Sequence, residues 1–174
     1  FILTHLPPDF PLGILIAQHM PAEFLEIFSA RLNSMGRFRV KLAEDREPVT
    51  PGKVLIAPYG LQTEVVRRGK EIRIKLHKDD SLYRPSVDYL FSSLAETFGR
   101  KAISILLTGM GADGAKGLKQ LYDLGAKTIV EAEESCVIYG MPRAAVELGV
   151  AQFITPLLDI PNLICDLVTN QASR

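Results

Sequence analysis

Cysteine is scarce in this sequence, and its scarcity excludes two kinds of small-protein architecture. Only Cys136 and Cys165 occur among 174 residues, together with three histidines. Two cysteines cannot build a disulfide framework, and no cluster of cysteine and histidine has the spacing of a zinc site. We therefore predict a protein without a metal or other cofactor that folds in a reducing compartment, the cytoplasm.

An excess of charge of one sign is also missing. Lysine plus arginine and aspartate plus glutamate each total 20, a balance that gives no electrostatic footprint for nucleic acid or for an anionic membrane. No uninterrupted apolar run approaches the roughly 18 residues of a membrane span. We predict neither nucleic-acid binding nor membrane insertion, and the length suits a single domain over residues 1–174.

The most informative stretch that is present covers residues 101–118. Its first part, residues 102–108, is an uncharged run rich in isoleucine and leucine, typical of a strand buried on both faces. A loop with Gly109, Gly111 and Gly114 follows, and residues 115–124 have the apolar spacing of a helix. Asp113 therefore lies in a glycine loop at the carboxyl end of a strand, where ligands and catalytic groups collect in α/β sheets.

Strands and helices alternate along the rest of the chain. The apolar patterns predict strands within residues 12–17, 40–43, 53–58, 125–131 and 152–154, and helices within residues 22–34, 87–99, 142–148 and 160–168. Residues 62–66 and 71–76 alternate in polarity and predict an antiparallel hairpin with one wet face. This order predicts an α/β fold: a doubly wound, mostly parallel sheet with helices on both faces and an inserted hairpin.

The helix at residues 22–34 carries apolar residues at helical spacing. We predict that its buried face consists of Phe24, Ile27, Phe28 and Leu32.

A histidine follows the first predicted strand directly. His19 stands at the carboxyl end of residues 12–17, so it shares a sheet edge with Asp113 if the two strands are parallel and close. A histidine oriented by a carboxylate is two thirds of a nucleophilic triad. The nucleophile is not evident, because Ser81, Ser86 and Ser104 lack a strained glycine turn and Cys136 is the only thiol near a strand-end loop.

The glycine loop also has competing interpretations. Residues 109–114 match G-x-G-x-x-G between a strand and a helix, and Glu131 closes the next strand, as a dinucleotide site requires. Against this stands Asp113, whose carboxylate would repel each phosphate charge about 5 Å away by about 3 kcal/mol at an effective dielectric of about 20. Asp113 can instead simply cap the helix that begins at residue 114 or 115, and a pairing with the histidine can be purely structural.

Six short motifs occur in order along the chain. They are residues 17–21 (AQHMP), 43–45 (AED), 51–58 (PG with IAP), 84–88 (RPSVD), 107–114 (LTGMGADG) and 139–142 (YGMP). Together they closely resemble the catalytic domain of the bacterial chemotaxis protein-glutamate methylesterases, the CheB family. The resemblance covers residues 12 to about 160, and several motifs at matching separations make it more specific than any one of them.

The resemblance implies a fold, a reaction and a set of site residues. Such enzymes hydrolyse γ-glutamyl methyl esters on the cytoplasmic helices of methyl-accepting chemoreceptors, and many deamidate receptor glutamines, with a Ser-His-Asp triad on a doubly wound α/β fold. By motif match, His19 is the family's histidine and Asp113 its aspartate. The backbone N–H of Met110 is implied as an oxyanion donor, and Arg84 and Tyr139 as residues that line the substrate cleft.

One departure from the family pattern concerns the nucleophile. The family's serine lies in a Gly-Ala-Ser-x-Gly-Gly type of turn after the first strand, and this chain has no such turn. The resemblance therefore predicts a domain truncated at its N-terminus, with the serine and a regulatory receiver domain before Phe1. A non-catalytic domain that binds receptors or a partner on the same scaffold is the alternative from a different functional class.

Overall fold

The structure, a computed structural model, describes residues 1–172 and alternates strands with helices as the sequence predicts. The strands are β1 (Ile14–Ile16), β2 (Arg39–Leu42), β3 (Lys53–Ile56), β4 (Gln62–Arg68), β5 (Glu71–His77), β6 (Ile103–Leu106), β7 (Lys127–Glu131) and β8 (Phe153–Thr155). The α-helices are α1 (Ile2–His5), α2 (Ala22–Ser34), α3 (Val87–Phe98), α4 (Ala115–Asp123), α5 (Met141–Glu147) and α6 (Ile160–Ala172).

Parallel strand pairs dominate the fold. One set of three parallel strands has the order β1-β3-β2, and a second has the order β6-β7-β8. The predicted α/β class with an inserted hairpin is confirmed. The parallel strands form two sets rather than one continuous sheet, because β1 and β6 are each hydrogen-bonded to only one neighbour within residues 1–172.

The hairpin of β4 and β5 is antiparallel and closes on a two-residue turn. Gln62 lies opposite His77 and Arg68 opposite Glu71, and Gly69 in the turn has φ 61°. Glycine adopts this left-handed conformation without steric cost, which explains the tight turn. At its open end Gln62 is 0% exposed, whereas His77 opposite it is partly exposed.

Helices cover the parallel strands on both faces. In β7, Val130 belongs to an apolar cluster with residues of α3, α4 and α5, whereas Ile129 belongs to a cluster with residues of α1, α2 and α6. Successive side chains of a strand point to opposite faces. The two neighbouring residues of β7 therefore bury different layers of the core, as a doubly wound sheet requires.

The predicted buried face of α2 is partly wrong. The bounds of the helix match the prediction, but Phe24 and Ile27 are 58% and 66% exposed, and the buried residues are Leu25 and Ser29. Phe28 is partly buried in the same cluster as Leu25. The helix is rotated so that Leu25 and Ser29, one turn apart, face the interior, which leaves Phe24 beside that face and Ile27 on the opposite side of the helix.

Candidate active site

The structure brings the histidine after β1 and the aspartate after β6 into contact. Nε2 of His19 lies 2.8 Å from Oδ2 of Asp113. The imidazole side chain is 29% exposed, whereas the carboxylate side chain is 3% exposed. The pair therefore has an inner acceptor and an outer ring that solvent and ligands can reach.

The carboxylate of Asp113 accepts hydrogen bonds from three further donors. Oδ2 also accepts from the backbone N–H of Val87 at 2.7 Å, and Oδ1 accepts from Oγ of Ser86 at 2.8 Å and from the N–H of Asp88 at 3.0 Å. These donors lie at the N-terminus of α3. Asp113 thus does cap a helix, but it caps α3 and not the helix that follows it in sequence.

The surrounding donors keep this buried carboxylate ionised. Burial by itself raises the pKa of Asp113, but the hydrogen bonds from His19, from the N–H groups of Asp88 and Val87 and from Ser86 outweigh burial and lower it. A charged carboxylate has no proton to donate, so the hydrogen in the contact belongs to Nε2 of the imidazole.

The N-terminus of α4 is capped in turn by an aspartate of α3. Oδ1 of Asp88 accepts from the N–H of Gly114 at 3.0 Å and from the N–H of Gly117 at 2.7 Å. A Cβ at Gly114 would lie 2.7 Å from side-chain atoms of Leu106 and Val87. The helix terminus that a dinucleotide would need is filled by the carboxylate of Asp88, which argues against a nucleotide site. The close packing at Gly114 does not decide the question, because the third glycine of a dinucleotide loop has the same role.

An aromatic ring covers the imidazole. The ring of Tyr83 stacks on His19 with centroids 5.0 Å apart and planes 15° apart. Both rings line an open cavity of about 320 Å³, together with residues of three loops: Met20, Pro21, Tyr59, Gly60, Leu82, Arg84 and Pro85. No pattern in the sequence points to a role for Tyr83, because its contact with His19 depends on the path of the irregular loop before α3.

The loop after β6 is fixed on both sides of Gly109. Its N–H donates to the carbonyl of Ile138 at 3.0 Å, and its carbonyl accepts from the N–H of Met141 at 2.8 Å. One residue earlier, the N–H of Thr108 donates to the buried carboxylate of Glu131 at 2.8 Å. The backbone that presents the amide of Met110 is therefore held in place, while the Met110 side chain is 79% exposed.

The two candidate substrate-binding residues lie in different positions. Arg84 lines the cavity beside His19, and its guanidinium donates to the carbonyl of Asp79 at 2.6 Å. Tyr139 pairs through its backbone with Gly109 and does not line that cavity. The structure thus places Arg84 next to the pair and Tyr139 beside the glycine loop.

The hydroxyl and thiol groups considered as nucleophiles are engaged elsewhere. Oγ of Ser81, of Ser86 and of Ser104 each donates to a group other than the imidazole of His19. Burial raises the pKa of the Cys136 thiol to about 11, so this thiol is protonated at neutral pH.

Metal ligands are not assembled in the part of the chain that the structure describes: there, no three His, Cys, Asp or Glu side chains are grouped so that they could hold an ion. Among the same residues, no helix combines the length and the apolar character needed to cross a membrane.

Comparisons with known proteins agree on one family. A family model described as CheB methylesterase matches residues 1–164. The chain is 46% identical over 166 residues to protein-glutamate methylesterase/protein-glutamine glutaminase 2 of Chromobacterium violaceum, covering 94% of this chain and 46% of that protein. It is 44% identical to protein-glutamate methylesterase/protein-glutamine glutaminase of Bdellovibrio bacteriovorus, covering 98% of this chain and 49% of that protein. The chain thus spans about half the length of the curated relatives it matches.

A solved structure matches closely as well. The crystal structure of the Thermotoga maritima CheB methylesterase catalytic domain superposes with a TM-score of 0.92 at 37% identity, covering 95% of this chain and 88% of that one.

Proposed function

Because this chain belongs to the CheB methylesterase family, we propose that it hydrolyses glutamate γ-methyl esters on chemoreceptor cytoplasmic helices, with His19 as general base and Asp113 as its partner. The observation that carries the proposal is the 2.8 Å contact between Nε2 of His19 and a carboxylate that three other donors hold ionised. The same acyl chemistry extends to receptor glutamines, in keeping with the double name of the relatives.

The hydrogen bond to Asp113 decides which imidazole nitrogen acts as the base. Because Nε2–H donates to the carboxylate, Nδ1 of the neutral ring is the nitrogen with a free lone pair. Nδ1 removes the proton of the nucleophile as it attacks the ester carbonyl, and the ionised Asp113 stabilises the imidazolium that forms. The imidazolium then returns the proton to the departing methoxide, which leaves as methanol. In the second half of the reaction the imidazole removes a proton from water, which attacks the acyl-enzyme, and returns that proton to the nucleophile as the glutamate is released.

We place the nucleophile on a further strand between β1 and β6. Within residues 1–172 each of these strands has one unpaired edge, yet their side chains belong to the same apolar cluster, which includes Ile14, Ile16, Ile103 and Ile105. A parallel strand inserted there would unite the two sets into one sheet, and its carboxyl end would emerge between the loops that carry His19 and Asp113. We expect a serine in a glycine turn at that end.

The amide of Met110 is our candidate for the oxyanion hole. Its loop is fixed at Gly109 and Thr108, so the backbone N–H is oriented before the substrate arrives. A preorganised donor of this kind contributes about 3–4 kcal/mol of transition-state stabilisation.

The surface around the pair suits a substrate carried on a protein. Leu82, Met110 and Val137 are 86%, 79% and 89% exposed. Leu82 lines the cavity, and Met110 and Val137 lie on the loops after β6 and β7, which are joined by the hydrogen bond from Gly109 to Ile138. Isolated exposed apolar side chains are ordinary, but three on adjoining loops at one site offer contacts to the apolar side chains that flank an esterified glutamate on a helix. Arg84, which lines the same cavity, is placed to contact polar groups of that helix.

The experiment is an assay of methanol release from a methyl-esterified chemoreceptor cytoplasmic fragment by the complete gene product. We expect hydrolysis by the wild type and a loss of about 10³-fold or more in kcat for His19→Ala, because the general base is removed. Lys119→Ala is the matched control, since Lys119 pairs with Asp123 on the exposed face of α4.

A His19→Ala variant that keeps near-wild-type hydrolysis would overturn the assignment. A wild-type protein that binds the fragment but releases no methanol would favour the non-catalytic binding domain. The regulatory receiver domain that the family resemblance implies stays a prediction.

A further inference from the structure

Tyr83 contacts both loops that carry the catalytic pair. Its ring stacks on the imidazole of His19, with centroids 5.0 Å and planes 15° apart. Its hydroxyl oxygen lies 3.5 Å from the point where a Cβ would stand at Gly111, so the ring extends from the histidine to the loop of Asp113. One side chain therefore spans the gap between the carboxyl ends of β1 and β6.

A buried amide fixes the backbone on which Tyr83 stands. Nε2 of Gln62, the first residue of β4, donates to the carbonyl of Tyr83 at 2.8 Å, and Oε1 of Gln62 accepts from the N–H of Ser86 at 3.0 Å. Gln62 is 0% exposed. The amide thus holds both ends of residues 83–86, one end against the imidazole and the other, through Ser86, against the carboxylate of Asp113.

We propose that Tyr83 is a positioning residue for His19, and that Gln62 anchors it. This inference rests on the proposed function. The hydrogen bond to Asp113 fixes one nitrogen of the imidazole but leaves the ring free to turn about that contact. The stacked ring of Tyr83 removes this freedom, so that Nδ1 stays directed to one place when the nucleophile and substrate arrive.

Tyr83 also lines the cavity, so its effect on binding has to be separated from its effect on positioning. A residue that only contacts the substrate changes KM and leaves kcat in place, whereas a residue that aligns the base changes kcat. Because the ring is 40% exposed, its replacement leaves the buried core intact.

The test compares Tyr83→Leu with Tyr83→Phe in the complete gene product, with the methyl-esterified receptor fragment as substrate. Leucine keeps an apolar side chain but cannot stack, and we expect kcat to fall by about 10-fold to 100-fold with KM within about twofold of the wild type. Phenylalanine keeps the ring, and we expect it to restore kcat to within about threefold. Tyr122→Leu on the exposed face of α4 is the matched control.

Three kinetic results would overturn the inference. They are an increase in KM with unchanged kcat for Tyr83→Leu, equal losses for leucine and phenylalanine, and no change in either variant. Equal losses would assign the effect to the hydroxyl over Gly111 rather than to the stacked ring.

A second readout does not depend on hydrolysis. A stacked aromatic ring shifts the carbon-bound proton resonances of the imidazole upfield, and His19→Gln identifies these among the three histidines. We expect the upfield shift in the wild type and in Tyr83→Phe, and its loss in Tyr83→Leu. If the wild type shows the shift but releases no methanol, the proposed function fails while the contact stands. If methanol is released but Tyr83→Leu leaves the resonances in place, the positioning role fails.

Discussion

The N-termini of α3 and α4 lie side by side, and each is capped by an aspartate from the segment that belongs to the other. Asp113 accepts from the start of α3, and Asp88 accepts from the start of α4. Burial raises the pKa of both carboxyls. In Asp113 the bonds from His19 and from three other donors reverse that effect, whereas in Asp88 two backbone bonds do not, and the negative charge of Asp113 raises the pKa of Asp88 further.

The difference between the two caps separates a carboxylate that we propose as the partner of a base from one that only caps a helix. Both occupy a helix terminus, whose dipole favours negative charge. Only Asp113 has an imidazole and a hydroxyl among its donors, and only its two oxygens are both engaged in the bonds described above. The number and kind of donors, rather than helix capping itself, make Asp113 suited to pair with a base.

The largest expected contrast is in activity. In Asp113→Asn the side-chain amide would donate to the imidazole and force the proton onto Nδ1, so we expect kcat for ester hydrolysis to fall by about 10⁴-fold. Asp88 makes both cap bonds through Oδ1, which the oxygen of an asparagine reproduces. We therefore expect Asp88→Asn to stay within about threefold of the wild type. Similar losses in both variants would show that the two caps do not differ in function.

The next contrast is in stability, when each carboxylate is removed altogether. Asp113→Ala leaves two backbone N–H groups and the hydroxyl of Ser86 without their acceptor in a buried place, and we expect a loss of about 3–5 kcal/mol in the free energy of unfolding. Asp88→Ala removes the acceptor of the N–H groups of Gly114 and Gly117, but Asp88 itself is only partly buried, so water can take the place of its carboxylate. We therefore expect a smaller loss of about 1–2 kcal/mol. Urea denaturation measures both. A larger loss for Asp88→Ala would reverse the order of the two caps.

One side-chain donor to Asp113, the hydroxyl of Ser86, can be removed while the cap that Asp88 forms on α4 is left unchanged. In Ser86→Ala the bond to Oδ1 is lost together with the N-cap bond from the N–H of Tyr89, so we expect a loss of about 1 kcal/mol in stability. The pKa of Asp113, followed through its carboxyl carbon resonance, is expected to rise because one stabilising donor is gone. Ser86→Thr keeps the hydroxyl and is the control. A pKa that does not move in the alanine variant would show that the backbone donors suffice.

The smallest contrast is the pH dependence of stability, where the two aspartates should act with opposite sign. The folded-state pKa of Asp113 is lowered, so its contribution is present at neutral pH and lost as the pH falls below about 4. Asp113→Asn should therefore be less stable than the wild type at pH 7, with a gap that closes in acid.

The folded-state pKa of Asp88 is raised, so its ionised form opposes folding at neutral pH. Asp88→Asn should be slightly more stable than the wild type at pH 7, and this advantage should disappear as the pH falls to about 4. Unfolding curves between these pH values measure both gaps, and gaps of the same sign would contradict the comparison.

Local patterns in the sequence predicted helix α3 and the shared sheet edge of the proposed pair. The apolar spacing of residues 87–99 predicts α3, whose N-cap is Ser86. The shared sheet edge of His19 and Asp113 also follows from their places after predicted parallel strands. Both inferences need only residues close in sequence or a general property of parallel sheets.

Contacts between distant segments could not be predicted in the same way. That Asp113 caps α3 and Asp88 caps α4 depends on which helices pack together, and a capping pattern points only to the helix that follows it. The stack of Tyr83 depends on the path of an irregular loop. On α2, Phe24 and Ile27 fit a helical stripe by spacing alone, but a rotation of a fraction of a turn sets which neighbouring stripe faces the core.

Carboxylates hold the backbone of three segments at this edge: Asp113 holds the start of α3, Asp88 the start of α4, and Glu131 the N–H of Thr108. Asp113 and Glu131 are buried, and Asp88 is partly buried. Each of these amides is hydrogen-bonded, so its exchange requires that bond to open. We expect them to exchange with deuterium on the slow timescale of the interior, while the hairpin tip at Gly69 exchanges fast. We therefore expect the backbone at this edge of the sheet to be as rigid as the core, although the edge carries an open cavity.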